Sequence, residues 1–127
     1  MTDQMTHQRI KRYADFFDFY LMEHDDPRSR ALHYAGSIAG LACAVLFVVT
    51  FNPWFLLIGL VAGYGPAWVG HFFFEKNRPA TFRYPVWAFI SDFRMLWLWL
   101  TDRLGAALTG ARERRREAEE SGQEQTR

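Results

Sequence analysis

The residues in this chain best suited to chemistry are three histidines and a glutamate. His24 and His33 stand nine positions apart in EHDDPRSRALHYAG, and His71 and Glu75 stand four apart in GHFFFEKNRPATF. Imidazole with carboxylate is a donor set for Zn, Fe, Cu or Ni. Three imidazoles suit a single ion with open positions for O2 or a substrate oxygen, and are too sparse for a many-histidine di-iron centre. Glu75 falls on the same helical face as His71. It can be read as a fourth ligand, as an acceptor for the imidazole N–H, or as a partner of Lys76 or Arg78. Asp25 and Asp26 are weaker candidates, because loop carboxylates are ordinarily solvated, and His7 reads as a solvated residue. Each histidine also has a plainer reading as an interfacial side chain at a membrane rim. Ser37 reads as a packing residue, and the sequence holds no Gly-rich phosphate loop, GxSxG or CxxC.

Distant ligands meet only if the intervening elements bring them together. The chain has 127 residues, half of them hydrophobic and 17% aromatic. That length suits one domain, read as 1–105 followed by a polar, charged tail over 106–127. From Ala31 to Phe74 there is no Asp, Glu, Lys or Arg. Residues 31–51 and 55–74 each have about the length that crosses a hydrocarbon core. The Asn52–Pro53 turn between them makes a transmembrane hairpin, with Pro66 expected to kink the second helix. Counting outward from that turn at roughly 1.5 Å per residue puts His33 and His71 at the same depth, about 28 Å away. Gly36 and Gly40 on the first helix, with Gly65 and Gly70 at matching depths on the second, would let the backbones approach closely. A turn at Pro27 would fold His24 back over the hairpin mouth.

The flanking segments complete an all-α reading, a transmembrane helical hairpin with amphipathic, interfacial helices. Residues 7–22 carry Ile10, Tyr13, Phe16, Phe17, Tyr20 and Leu21 on one face, as expected of a helix lying in the membrane interface. The bland alternative is a core-facing helix of a bundle. Residues 84–100 are apolar but hold Asp92 and Arg94, which are costly in hydrocarbon, so this helix is expected to be interfacial or half-inserted. Beyond Gly105 the chain is expected to fray. Arg9, Lys11, Arg12, Arg28 and Arg30 precede the hairpin, and Lys76, Arg78 and Arg83 follow it, which puts both its ends in the cytoplasm. The net charge of +1 and the alternating signs of ARERRREAEE argue against a nucleic-acid partner. The single Cys43 excludes a disulfide within the chain, and the N-terminus shows no signal-peptide core.

The pair of motifs carrying the histidines resembles the Mpo1-like family. That family has an H-x(8)-H-x-x-G segment, here His24, His33 and Gly36. After a hydrophobic hairpin comes a G-H-x-x-x-E-x-x-x-P-A segment, here Gly70, His71, Glu75, Pro79 and Ala80. The resemblance covers about residues 13–100. It implies an Fe(II)-dependent dioxygenase that shortens 2-hydroxy fatty acids by one carbon in alpha-oxidation, with His24, His33 and His71 as the iron ligands. The chemistry of such a reaction, with O2 as co-substrate, would have the substrate chelate iron through its carboxylate and hydroxyl, with Glu75 at the site and Arg78 or Arg30 pairing with the substrate carboxylate. The acyl tail would lie among Phe72, Phe73, Phe74 and the aromatics of 84–100. Arg28-Ser29-Arg30 departs from the Asn common between the first two histidines in fungal members, so a general 2-hydroxy fatty acid is the substrate inferred.

Two other functions compete with this one. A non-enzymatic membrane hairpin or scaffold would use Gly36/Gly40 and Gly59/Gly63 to pack against lipid or a second copy. A metal- or haem-binding membrane module would hold an ion without turning over substrate. All three are integral to a membrane, read as a bacterial inner membrane, or the endoplasmic reticulum in a eukaryote. Two histidines at one depth beside Glu75 favour the enzyme, since a structural hairpin has no need of them.

Overall fold

The computed structural model describes residues 9–125, so His7 lies outside the described residues. Five α-helices follow one another: α1 Tyr13–Met22, α2 Pro27–Thr50, α3 Trp54–Val69, α4 Pro85–Leu100 and α5 Leu104–Gln125. α3 runs on as a π-helical stretch, Gly70–Glu75, and a 3-10 turn, Ala80–Phe82, precedes α4. No strand occurs among the described residues.

α2 and α3 form the hairpin, and local chemistry explains its ends. Asp26 is the N-cap of α2 and accepts a 2.9 Å bond from the Arg28 N–H, with Pro27 at the first helical position, where a missing N–H costs nothing. That cap starts the helix four residues before the apolar run does. At the far end Phe51 adopts a left-handed conformation (φ 53°), and Asn52 Oδ1 accepts from the Trp54 N–H to begin α3. Pro66 sits inside α3, and the widened π turn begins four residues later.

The two helices touch through glycine. A Cβ on Gly36 would lie 2.4 Å from the Gly63 carbonyl oxygen, and one on Gly59 would lie 3.0 Å from Cys43 Cβ. The partner of the first glycine pair is therefore Gly59/Gly63; a Cβ on Gly65 would meet no atom of the facing helix within 4 Å. The Gly-xxx-Gly faces proposed for a second copy are thus turned toward each other within one chain. Outward, Ile38, Val45, Val49, Leu57, Leu60 and Val61 are all exposed. α2, and α3 together with its π-helical continuation (Trp54–Glu75), are long and apolar enough to cross a membrane, yet only 22% and 17% of their apolar windows are buried. A core helix of a water-soluble protein would be mostly covered, so this exposed apolar surface asks for another apolar neighbour.

α1, α4 and α5 pack together at the open end of the hairpin. Phe16, Phe17, Tyr20 and Leu21 of α1 are buried with Tyr84, Ala88 and Met95, and with Leu104, Leu108 and Ala111 of α5. The apolar face of α1 is therefore turned to protein, which corrects the interfacial reading of that face in favour of the bundle. The helix also starts at Tyr13. The Ile10 N–H is given to the Tyr84 hydroxyl at 2.8 Å, and Arg12 is extended. α4, at 16 residues, spans only about 24 Å and is too short to cross alone. Its costly polar groups find partners on α1: the Tyr20 hydroxyl donates to Asp92, and the Arg94 guanidinium lies 3.9 Å over the Phe17 ring. Trp97, Trp99 and Leu100 remain exposed. α5 continues as helix well past Gly105 instead of fraying, anchored by Leu104, Leu108 and Ala111 and by Arg114 paired to Asp18 at 2.7 Å.

Candidate metal centre

Three different backbone devices aim the three histidines. His24 directly follows the C-terminal end of α1, where its Nδ1 donates 2.6 Å to the Tyr20 carbonyl one turn back. His33 lies in the second turn of α2, where its Nδ1 donates 3.0 Å to the Ser29 carbonyl. His71 stands at the start of the π turn. That turn closes with Lys76 left-handed (φ 56°), and the Asn77 N–H then donates 2.9 Å to the His71 carbonyl. The fold-back sets Asn77 Oδ1 at 2.6 Å from His71 Nδ1. The helices can approach this closely here because Gly70 faces Ser29; a Cβ would meet Ser29 Oγ at 2.9 Å.

These bonds fix the tautomers. A carbonyl only accepts, so His24 and His33 carry their protons on Nδ1. The Asn77 amide is oriented by its own Nδ2, which donates to the Glu23 carbonyl and the Glu23 carboxylate. Its oxygen therefore faces His71, which must also donate from Nδ1. All three imidazoles are left with an unprotonated Nε2. His24 and His33 bring these nitrogens to 2.9 Å, and one ligand atom from each of the three residues lies within 4.8 Å of the others. The ring centroids are 4.2–4.8 Å apart. Lone pairs facing one another at this range repel unless a cation lies between them.

Burial sharpens the requirement. His24, His33 and His71 are 0%, 4% and 2% exposed. Burial lowers the pKa of His24 well below the ordinary range, and the neighbouring His33 and His71 lower it further. The triad thus resists a proton, while its donor set suits a divalent metal, with every outer N–H already held by an acceptor. Burial raises Glu23 against the opposing Asn77 bond.

The residues named beside the histidines from the sequence are engaged elsewhere. Glu75 accepts 2.6 Å from the Asp26 N–H and ties the hairpin's end to the loop before α2. The acceptor place proposed for it at His71 belongs to Asn77. Arg78 is exposed. Arg30 donates 2.9 Å to the carbonyls of His24 and Asp25 and so shapes the loop. Asp25 pairs with Arg112 at 2.6 Å. Beside His33 and His71 a cleft opens, walled by Tyr64 and Trp68 of α3 and by Tyr20 and Asp92. Phe72 and Phe73 are exposed away from it, so the aromatic wall is α3, one turn earlier than FFF. Asn77, Tyr20 and Asp92 stand beside the triad or its cleft, and helical spacing alone points to none of them. The intramembrane-type cost of Asp92 was their one sequence signal.

The chain is thus a helical hairpin long and apolar enough to cross a membrane, whose open end carries a buried, proton-resistant histidine triad that could hold a metal ion. Residues 10–104, well over half the chain, match the family described as 2-hydroxy-palmitic acid dioxygenase Mpo1-like. The chain belongs to that family. Searches of curated proteins and of solved structures find no match.

Proposed function

We propose that the protein is an Fe(II)-dependent dioxygenase that shortens 2-hydroxy fatty acids by one carbon at a membrane surface. The balanced reaction is R–CH(OH)–COOH + O2 → R–COOH + CO2 + H2O. The single observation that supports it most is the inward convergence of three Nε2 lone pairs, each paired with an Nδ1–H already bonded on its outer side. His24, His33 and His71 would hold the ion. Bound iron would supply a site for the substrate oxygens and for O2. The chain's own residues do the rest: Tyr20, Ser29 and Asn77 hold the rings in register, and Glu75 and Arg30 fix the loop carrying His24. Tyr64 and Trp68 offer an apolar wall for the acyl chain. The hairpin would place this site at the cytoplasmic edge of a bilayer, where a fatty acid resides.

The test uses the protein purified in detergent, reloaded anaerobically with Fe(II), beside a variant with His24, His33 and His71 all changed to Ala. The expected outcome is close to one iron per chain and O2-dependent release of CO2 from 2-hydroxypalmitate. Both are absent in a variant that retains its helical circular dichroism. A wild type that holds iron but leaves 2-hydroxy acids intact would reduce the protein to a metal-binding module. A wild type that takes up no metal would leave the structural hairpin.

A further inference from the structure

Asp92 is the one carboxylate among the described residues lining the cleft beside His33 and His71. Asp92 is half-buried, and a carboxylate drawn this far from water is ordinarily matched by a cation. Here the nearest candidate along the helix, Arg94, turns the other way and lies over Phe17. The partner of Asp92 is instead the hydroxyl of Tyr20, which engages Oδ1 and leaves Oδ2 for a ligand. Tyr20 is itself fully buried, and its carbonyl orients His24. One residue therefore fixes a metal-type imidazole through its backbone and a carboxylate through its side chain. This is the arrangement needed to hold a proton acceptor at a set distance from an ion.

We propose that Asp92, oriented by Tyr20, accepts the hydrogen bond of the substrate's 2-hydroxyl and takes its proton during the reaction, an assignment that rests on the 2-hydroxy fatty acid reading above. In that step the substrate O–H bond breaks and an O–H bond forms on Asp92. The electron pair stays on the substrate oxygen, and the proton leaves with the water of the overall reaction. Nothing else in the cleft does this as well: Tyr64 is a donor at neutral pH, and the histidine Nε2 atoms are turned toward one another, where they would hold the ion. Burial raises Asp92 to about 6, which leaves it ionised at neutral pH and a fitting base.

The experiment compares iron-loaded wild type with Asp92→Asn and Tyr20→Phe. Asn keeps the size and can still accept from Tyr20; Phe keeps the carbonyl that holds His24. Three quantities are read: iron per chain, turnover of 2-hydroxypalmitate, and the anaerobic affinity ratio of 2-hydroxypalmitate to palmitate by equilibrium dialysis. Iron content is expected to stay at the wild-type level in both variants. In Asp92→Asn, kcat should fall at least about 100-fold, and the preference for the 2-hydroxy acid should fall about tenfold, as for a lost bond to a charged acceptor. Tyr20→Phe should move both in the same direction by less. Unchanged preference and kcat in Asp92→Asn would overturn the assignment, as would loss of iron there, which would make Asp92 a structural support. A wild type that neither prefers nor turns over 2-hydroxy acids would remove the underlying functional reading and this assignment with it.

Discussion

At the scale of single residues, the site depends on hydrogen bonds that no spacing rule encodes. His24, His33 and His71 are legible in the sequence because their motifs are distinctive and because equal distances from the Asn52–Pro53 turn put two of them at one depth. Asn77 is not legible. Its place at His71 depends on a π turn and a left-handed Lys76, and helical arithmetic assigns that place to Glu75. The difference is testable. In Asn77→Ala the His71 N–H loses its acceptor, and metal affinity should fall by roughly 10–100-fold. Glu75→Gln should leave the affinity within about threefold, because Glu75 serves the Asp26 amide and Gln can still accept there. Competition titration against a metal-binding dye distinguishes the two. Equal losses would return Glu75 to the centre.

At the scale of elements, apolar periodicity identifies faces but not what covers them. The face of α1 was plain from Tyr13 to Leu21, yet its neighbour is α4 and α5 and not a bilayer. Likewise Gly105 looked like a helix end, whereas Leu108 and Ala111 beyond it complete the core. The hairpin register was readable to within a few residues: glycine was needed on both helices, but the facing residue is Gly63 and not Gly65. Gly36→Ala would drive its methyl into the Gly63 carbonyl and should destabilise the hairpin by about 1–3 kcal/mol. Gly65→Ala meets no atom of the facing helix and should cost less, about 1 kcal/mol or below, its strain coming only from the following Pro66, which disfavours helical backbone before it. Thermal unfolding of both variants in the same detergent checks the pair. Similar melting temperatures would mean that the helices do not meet at Gly36.

At the scale of the whole molecule, ionising the cleft carboxylate costs stability. Asp92 ionises near pH 6 when folded, against 3.8 ordinarily. The folded state therefore binds the proton more tightly, and its contribution is complete below about pH 3.8 and lost as pH rises through 6. Above that, the ionised form costs about 2–3 kcal/mol of global stability, at roughly 1.4 kcal/mol per pKa unit. Asp92→Asn should thus unfold at a higher temperature than wild type at pH 8, while the two converge toward pH 4. Measuring melting curves of both proteins at the two pH values isolates Asp92, because the histidines titrate alike in each. A variant less stable at pH 8 would mean that the charge is well solvated where it stands.

The three imidazoles hang from three separate pieces of chain: the end of α1, the second turn of α2 and the widened end of α3. No two of them are held together by local structure alone. In a cell, such a centre has a birth order. Both hairpin helices must already be in place, and α1 must have docked against α4 and α5, before the nitrogens face one another. A metal held by these three rings would then be taken up last, once the fold has brought them together. On the iron-dioxygenase reading proposed above, cells starved of iron would accumulate a folded but immature protein, ready to be completed when the ion arrives.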